Sequence, residues 1–299
     1  MIDEPPEGPH DGEQMGRGNC VMARIDMRNR SRYWNAPGVD GLSCLHADFT
    51  THDYAPHQHD AFVIAVTESG GSEFKSRGRS DEARESVLLV FNPAEPHSGR
   101  MGWSKGWRYR SIYLTQPAID QVTADLGIAR PAYFMRNVLG DADLIAAFTR
   151  LHRSLDDGRD PLEERELLVA SFGQLFARHG DGARSIPIAP RDEAAVSRVA
   201  KRMASRHAES RLSLNEMGLW VDMTPFQLIG LFKRTVGLTP HAYLTQLRLK
   251  AAIRQLKAGA PIADAALASG FYDQSALTRH FKRSFGITPL QYQRAGSAS

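Results

Sequence analysis

Three histidines are spaced as the ligands of a metal ion often are. One residue separates His57 from His59, and His97 follows later in the chain. A His-x-His pair with a distant third histidine can bind a divalent metal. The same side chains could instead line the mouth of a cavity and contact a small effector, together with Tyr109 and Tyr113. We expect the effector role, with no metal and no cofactor at these residues.

A second group of side chains is suited to nucleic acid. Leu277 and Phe281 form the apolar stripe of a predicted helix, and polar residues lie on its other side. These polar residues are Gln274, Ser275, Thr278, Arg279 and Lys282. Such side chains donate to and accept from base edges and phosphates. A helix that only packs in a bundle would more often carry Glu–Lys pairs there. We therefore predict that this face binds double-stranded DNA.

The element that holds this face occurs twice. The segments FKRTVGLTP (232–240) and FKRSFGITP (281–289) are identical at six of nine positions and start 49 residues apart. Each ends with a glycine suited to a helix C-terminus and a Thr-Pro pair suited to begin the next helix. A shorter helix is predicted before each segment, over 212–220 and 262–270. This succession of short helix, turn and longer helix is the helix-turn-helix pattern.

One further predicted helix, over 240–259, joins the two units. At 1.5 Å per residue it would be about 26 Å long. Major-groove faces of B-DNA recur every ~34 Å, so two packed units could place their longer helices in adjacent major-groove segments. The repeat therefore predicts two recognition helices in one chain.

The C-terminal third of the chain resembles a known family. The segment GFYDQSALTRHFKRSFGITPLQY (270–292) resembles the signature of the AraC/XylS family of bacterial transcription regulators nearly throughout its length. The resemblance implies a sequence-specific DNA-binding regulator, with RNA polymerase and a second copy of the chain as expected partners. Whether transcription rises or falls stays open.

The first unit departs from that family's pattern. The family usually has polar or basic residues where this chain has Ile229 and Gly230, a turn glycine at Asp222, and an alanine at Gly218. A glycine inside a helix costs about 1 kcal/mol relative to alanine. We therefore expect the first unit to be less stable than the second and to read fewer bases. Its expected DNA contacts are Phe226, Gln227 and Lys233.

The first half of the chain has the pattern of a small all-β domain. Short alternating or apolar runs predict strands, and SGGS (69–72) is interpreted as a turn between two of them. The segments HQHD (57–60) and NPAEPHSG (92–99) resemble the cupin-like sensor domain that often precedes this DNA-binding module. Along the last predicted strand, alternation places Tyr109 and Tyr113 on one face and Arg108 and Arg110 on the other.

Two other functions stay open. Metal cupins are often enzymes, and the resemblance implies a glutamate four or five residues after the second histidine, where this chain has Val63 and Ile64. The next acid is Glu68. One alternative is therefore a metal-dependent cupin enzyme fused to a DNA-binding tail. The other is a constitutive DNA binder whose barrel only dimerises. We expect no enzymatic activity.

Two apolar stripes predict helices after the barrel. The stripes consist of Leu144, Ile145, Phe148 and Leu151, and of Leu168, Val169, Phe172, Leu175 and Phe176. The resemblance implies that such helices make a dimer contact, whereas the width of the stripes equally favours packing within the chain.

Charge and composition divide the chain into domains. From residue 192 onward there are 15 Lys and Arg against 7 Asp and Glu, whereas the first 191 residues carry 22 basic and 27 acidic residues. A basic C-terminal third on an acidic body is typical of a protein that binds a polyanion. The start of the chain is rich in acidic residues, proline and glycine, and it has no apolar segment of a secretory signal. Cys20 and Cys44 form no disulfide framework and no CxxC motif, which indicates the cytoplasm.

The predicted fold is a multidomain α+β protein. Residues 1–38 are expected to be a mostly disordered tail, 39–120 a cupin-like sensor barrel, and 121–180 a helical linker or dimerisation region. Residues 181–191 are expected to be an interdomain linker because they lack periodicity and contain Pro and Gly. Residues 192–299 are expected to be an all-α domain of two helix-turn-helix units joined by a long helix. No apolar run is long enough to cross a membrane.

Overall fold

Alternating apolar and polar residues build the first half of the chain from antiparallel strands. In this computed structural model the described residues are 29–51, 53–101, 104–181, 192–209, 212–285 and 287–296. The strands are β1 (Arg30–Asn35), β2 (Leu42–Phe49), β3 (Asp53–His57), β4 (Ala61–Ser76), β5 (Arg79–Arg84), β6 (Leu88–Phe91), β7 (His97–Arg100), β8 (Trp107–Thr115) and β9 (Val138–Leu139). They pair in the order β1-β2-β8-β4-β6-β9, while β5 and β7 pair with β4 and β3 pairs with β7.

Strand β4 passes through the whole sheet structure and bends in its middle. Its first half pairs with β6 and β8, and its second half pairs with β5 and β7. The register shifts between Thr67 and Ser69, and Gly70 has a φ of +71°. A Cβ atom at Gly70 would lie 1.9 Å from the carbonyl oxygen of Gly106, so the bend requires glycine. The expected turn at 69–72 is therefore wrong, because these residues form a bend inside one continuous strand.

The strands separate two apolar cores. Val63 and Ala65 of β4 lie in an inner core with Trp107 of β8. Phe62 and Ile64, which alternate with them, face the helices on the outside of the sheet and belong to a second core. The period of two residues along β4 thus decides which core each side chain enters.

The first strand begins earlier than expected. β1 pairs with β2 from Arg30 to Asn35, inside the segment 1–38 that was expected to be mostly a disordered tail. Residues 1–28 lie outside the described residues. β1 is almost fully exposed and rich in arginine, as is common for an edge strand, and this composition resembles that of a polar tail. The sheet therefore starts before residue 39.

Helices make up most of the second half of the chain. They are α1 (Gln116–Leu126), α2 (Ala142–Asp157), α3 (Pro161–His179), α4 (Glu193–Arg206), α5 (Leu214–Leu219), α6 (Pro225–Val236), α7 (Pro240–Lys257), α8 (Ile262–Ala268), α9 (Gln274–Phe285) and α10 (Pro289–Gly296). We call β1–β9 with α1–α3 the N-terminal domain, and α4–α10 the C-terminal domain. Within the described ranges, none of these helices has the length and apolar character needed to span a membrane.

The C-terminal domain has the two predicted helix-turn-helix units. They are formed by α5 with α6 and by α8 with α9, and α7 runs between them. Thr239 caps α7 by accepting a hydrogen bond from the backbone of Ala242, and Gly237 ends α6 with a φ of +77°. The fold class predicted from the sequence is thus confirmed. Most of the predicted linker, 182–191, lies outside the described residues.

The two helix-turn-helix units have different cores. The core that begins under the sheet includes the apolar stripes of α2 and α3, and it continues into the first unit through Leu228, Ile229 and Phe232. The stripes of α2 and α3 therefore pack within the chain. The second unit has a core of its own, around Leu277 and Phe281. The first unit is thus packed onto the N-terminal domain as part of a shared core.

Candidate nucleic-acid interface and effector site

Helix α9 presents an open polar face. Leu277 and Phe281 are fully buried, whereas Gln274, Ser275 and Lys282 are exposed and Thr278 and Arg279 are half-buried. These five polar residues and Arg283 line a surface depression of about 510 Å³. The α9 side chains expected to contact DNA are therefore together on one surface, where Arg283 adds a third cation to Arg279 and Lys282.

Arg279 lies at the centre of this surface. Its Nη1 atom is buried and has no hydrogen-bond partner among the described residues. A guanidinium nitrogen without an acceptor loses the stabilisation that a phosphate or a base edge would supply. At its start, α9 is stabilised by Asp273, whose carboxylate accepts a hydrogen bond from the backbone of Ala276 at 2.6 Å.

The same face of helix α6 is partly covered: Ile229 is buried, Phe226 and Gly230 are half-buried, and Lys233 is exposed. In the repeat, Phe226, Ile229, Gly230 and Lys233 stand 49 residues before Ser275, Thr278, Arg279 and Lys282. Ile229 is buried in the shared core, and α6 packs against α1 and α3. The family's polar position at Ile229 is therefore apolar here because it packs within the chain.

Phe226 contacts the N-terminal domain directly. A Cβ atom at Gly173 of α3 would lie 2.3 Å from the ring of Phe226, so the ring occupies the space that a side chain at Gly173 would need. At the other end of the contact, a Cβ atom at Gly127 would lie 3.0 Å from Thr224. The expected DNA contact of Phe226 does not fit this arrangement.

The other two expected contacts of the first unit differ from Phe226. Gln227 forms a capping box with Thr224, in which each side chain bonds the other's backbone. Its amide oxygen is thus used within the helix. Lys233 is exposed on the last turn of α6, whereas Phe226 and Gln227 are half-buried.

Polar contacts also join the two domains, and sequence reasoning missed them. The buried carboxylate of Glu166 on α3 accepts a hydrogen bond from the backbone of His241 at 3.0 Å. Burial raises the pKa of Glu166, while hydrogen bonds from Thr239 and His241 act against it. Asp160 caps α3 through Glu163 and is 2.9 Å from the Nε2 atom of His241. No spacing motif relates these residues, because they lie on helices that only the tertiary fold brings together.

The three histidines of the N-terminal domain lie together, as their pattern predicted. The ring centroids of His57 and His97 are 4.5 Å apart, and His59 is 4.9 Å from His57 and 5.3 Å from His97. The ring of Tyr113 lies 5.4 Å from that of His59. Tyr109 is buried deeper, where it is stacked on Trp107. All five thus lie along the inner face of the barrel.

The surroundings favour the neutral forms of His59 and His97. Burial, followed by the nearby His57 and His97, lowers the pKa of His59 to about 4. Burial also lowers the pKa of His97. The Nδ1 atoms of His57 and His97 lie 2.8 and 2.9 Å from the backbone carbonyls of Ala55 and Glu95. A neutral ring that donates from Nδ1 keeps Nε2 as an acceptor, so the cluster can accept hydrogen bonds or ligate a metal.

No carboxylate completes a ligand set with these histidines in the described part of the chain. Glu68 lies on the outer face of the sheet, where its carboxylate accepts hydrogen bonds from Arg110 at 2.7 Å and from His46 at 2.9 Å. Burial would raise the pKa of Glu68, but these bonds lower it to about 2. The carboxylate of Glu95 accepts hydrogen bonds from Ser76 and Asn92 rather than facing the three histidines. Arg110 faces away from Tyr109 and Tyr113, as strand alternation predicted.

Comparison with known proteins now decides the family. Residues 41–172 match the family model of the AraC-like ligand binding domain, and residues 221–295 match a helix-turn-helix domain model. The chain belongs to the AraC family of transcription regulators. It combines a ligand-binding domain with a helix-turn-helix DNA-binding domain, an arrangement consistent with effector-controlled DNA binding.

Two known regulatory proteins are similar in sequence to this chain over most of its length. The chain is 28% identical over 222 residues to the uncharacterized HTH-type transcriptional regulator YbfI of Bacillus subtilis, covering 73% of this chain and 79% of that protein. It is 23% identical over 275 residues to the arabinose operon regulatory protein of Escherichia coli, covering 88% and 91%. A solved structure of ToxT from Vibrio cholerae is 14% identical with a TM-score of 0.34, covering 91% of this chain and 97% of that one.

Proposed function

We propose that α9 reads a DNA operator while the N-terminal domain restrains α6, and that an effector bound in the barrel changes this restraint. One observation carries the proposal: the equivalent faces of the two repeated helices are open in α9 and partly covered by the N-terminal domain in α6, at Ile229 and Phe226. A regulator that needs both helices on DNA would bind weakly while one is covered. An effector controls such an equilibrium only by favouring one of its two states.

The proposed effector site is formed by His57, His59, His97, Tyr109 and Tyr113. Imidazole rings and tyrosine hydroxyls beside an apolar core suit a small molecule with both apolar and hydrogen-bonding groups. A thermal-shift screen of such compounds tests this role, since a ligand that binds only the folded state raises its stability. A loss of the shift in His59→Ala would support the site, and an unchanged shift would contradict it.

Neither alternative function is favoured by the contacts of these residues. A cupin enzyme of the kind that the sequence resembles would use an acidic ligand, but the carboxylate of Glu68 accepts hydrogen bonds from Arg110 and His46 on the opposite face. The constitutive binder would need α6 to be uncovered. We propose a regulator without enzymatic activity that acts in the cytoplasm, with RNA polymerase and a second copy of the chain as partners. Because the stripes of α2 and α3 are buried, a dimer would use other surfaces.

The DNA contact is tested by two substitutions on α9. Arg279→Ala is expected to lower specific affinity by about 1–3 kcal/mol and to relax the preference at one or two base pairs. Lys282→Ala is expected to weaken binding to all sequences alike and to flatten the salt dependence, as loss of a phosphate contact should. Binding to a randomised operator library measures both. Unchanged site selection by Arg279→Ala would show that α9 is not the reading helix.

A further inference from the structure

Three potential metal ligands meet where the two domains join. Asp160 is the N-cap of α3, His241 lies in the first turn of α7, and His280 lies within α9. The Oδ2 atom of Asp160 is 2.9 Å from Nε2 of His241 and 3.5 Å from Nε2 of His280. These three atoms lie within 4.8 Å of one another. We call these residues the Asp160 cluster.

The side chains of the Asp160 cluster are largely buried and are held in place by further hydrogen bonds. The three side chains are only 18%, 11% and 8% exposed. The Oδ1 atom of Asp160 already accepts the capping hydrogen bond of Glu163, which fixes the carboxylate and leaves Oδ2 for the histidines. The backbone nitrogen of His241 is fixed by Glu166 of the opposite domain. Both imidazoles thus point at the same oxygen from two different helices.

Donor types and distances suit a zinc ion. Zinc binds histidine nitrogen and carboxylate oxygen at about 2.0–2.2 Å with tetrahedral geometry, which places its ligand atoms roughly 3.3 Å apart. The observed separations of 2.9 and 3.5 Å lie on either side of this value. A water can supply the fourth ligand, as in zinc sites with three protein ligands.

We propose that Asp160, His241 and His280 bind zinc, and that the ion clamps the C-terminal domain onto the N-terminal domain. One ligand comes from the domain that would bind the effector, and the other two come from the helix between the units and from the second recognition helix. A bound ion would stabilise the arrangement in which α6 is covered. The metal site stands on its own geometry, whereas the effect on DNA binding rests on the proposed function.

Zinc binding by the full-length chain tests the site. The protein is stripped with a chelator, and zinc is titrated in competition with a chromophoric chelator. The histidine cluster of the barrel could also take up metal, so the titration is done in His59→Ala as well as in the wild type. Asp160→Asn is the main variant, because asparagine remains a good N-cap and keeps α3 intact. His280→Ala removes a second ligand independently.

The expected result is one tight zinc site that persists in His59→Ala and is weakened at least ~10-fold by Asp160→Asn and by His280→Ala. Cobalt bound at this site should show the visible absorption of a tetrahedral ion with nitrogen and oxygen ligands. Equal zinc affinity in the wild type, Asp160→Asn and His280→Ala would overturn the site. So would zinc binding that disappears in His59→Ala.

The clamp has a separate readout. In His59→Ala, zinc is expected to lower affinity for a selected operator roughly 10-fold, and Asp160→Asn in that background should abolish this response. If zinc binds the Asp160 cluster and DNA affinity does not change, the metal site is supported and the clamp is wrong. If zinc binding fails but the substitutions on α9 alter site selection as expected, the DNA-binding proposal survives without the metal.

Discussion

His152 is fixed in one protonation state by two opposite partners. It is buried, with Nε2 3.1 Å from the carbonyl oxygen of Leu45 and Nδ1 3.1 Å from Nη1 of Arg110. A carbonyl only accepts and a guanidinium only donates, so the ring satisfies both as the neutral tautomer protonated on Nε2. Burial, followed by the charge of Arg110, lowers the pKa of His152 to about 4.

This arrangement predicts a loss of stability in mild acid. The folded-state pKa lies below the ordinary value of 6.5, so the unfolded state binds more protons between the two values. Stability is therefore complete above pH 6.5 and falls as the pH drops towards 4. Between pH 7 and pH 5 the free energy of unfolding should fall by about 2 kcal/mol through His152 alone.

The comparison variant is His152→Gln, whose amide can donate to Leu45 and accept from Arg110 without titrating. Urea unfolding at the two pH values should show a smaller decrease in this variant than in the wild type. Part of the decrease in the free energy of unfolding should remain in His152→Gln, because the pKa of His59 is also lowered in the folded state. An identical pH dependence in both proteins would contradict the role of His152.

For single residues, the sequence predicted the direction of a side chain where one helix or one strand alone sets it. The polar and apolar sides of α9 follow from helical spacing, and the inward direction of Tyr109 and Tyr113 follows from strand alternation. Ile229 was interpreted as a lost DNA contact, yet it belongs to a core shared between domains. From the sequence alone, an apolar residue on a predicted polar face can be a lost DNA contact or part of a core shared with another domain.

At the scale of elements, two glycines in the first unit have opposite roles. A Cβ atom at Gly218 of α5 would lie 2.3 Å from the carbonyl oxygen of Met223, which is part of the following turn. At Gly230 of α6 the nearest atom would be Nη1 of Arg234, at 3.0 Å on a flexible side chain. Helix propensity favours alanine at both positions, but only Gly230 has room for it.

We therefore predict opposite signs for two alanine substitutions. Gly230→Ala should stabilise the protein by up to about 1 kcal/mol through helix propensity. Gly218→Ala should destabilise it by about 1–3 kcal/mol, because the turn must shift to admit the new atom. Chemical denaturation of the two variants beside the wild type measures both effects. Equal stabilisation by the two substitutions would show that the turn after α5 can shift at little cost and that glycine is not required at position 218.

Elements with local signals could be predicted from the sequence. Thr-Pro pairs and C-terminal glycines mark the helices of both units, because caps act within a few residues. The bend of β4 could not be predicted, since two adjacent glycines are also typical of a turn, and the pairing of both halves of β4 decides between them. Edge strand β1 was missed because its exposed face resembles a polar tail.

At the scale of the whole molecule, the docking of the two domains was beyond the reach of sequence patterns. The repeat predicts two units of the same kind, but only the first shares its core with the N-terminal domain. One local sign exists in Gly173, a glycine in the middle of α3, where helix propensity disfavours it. Its absent side chain leaves the space that the ring of Phe226 occupies.

Gly173→Leu should therefore separate α6 from α3. Overpacking at this contact costs about 1–3 kcal/mol, which shifts the docking equilibrium roughly 5- to 150-fold. If covering α6 restrains DNA binding, affinity for a selected operator should rise at a fixed salt concentration. Gly140→Leu is the control, because a Cβ atom there would meet nothing within 4 Å. Fluorescence anisotropy with labelled operator measures both variants.

Phe226→Ala separates the two roles that this side chain could have, and it does so without crowding α3. As a DNA contact, Phe226 would make the variant bind more weakly. As a docking residue, its loss leaves a cavity between α6 and α3, and the undocked state becomes more populated. We predict tighter operator binding by Phe226→Ala, in the same direction as Gly173→Leu, and a smaller further gain when the two are combined, because both act on one contact. Weaker binding by Phe226→Ala together with tighter binding by Gly173→Leu would mean that α6 leaves the N-terminal domain and then reads DNA through Phe226. Weaker or unchanged binding by both would show that docking of α6 does not restrain DNA binding.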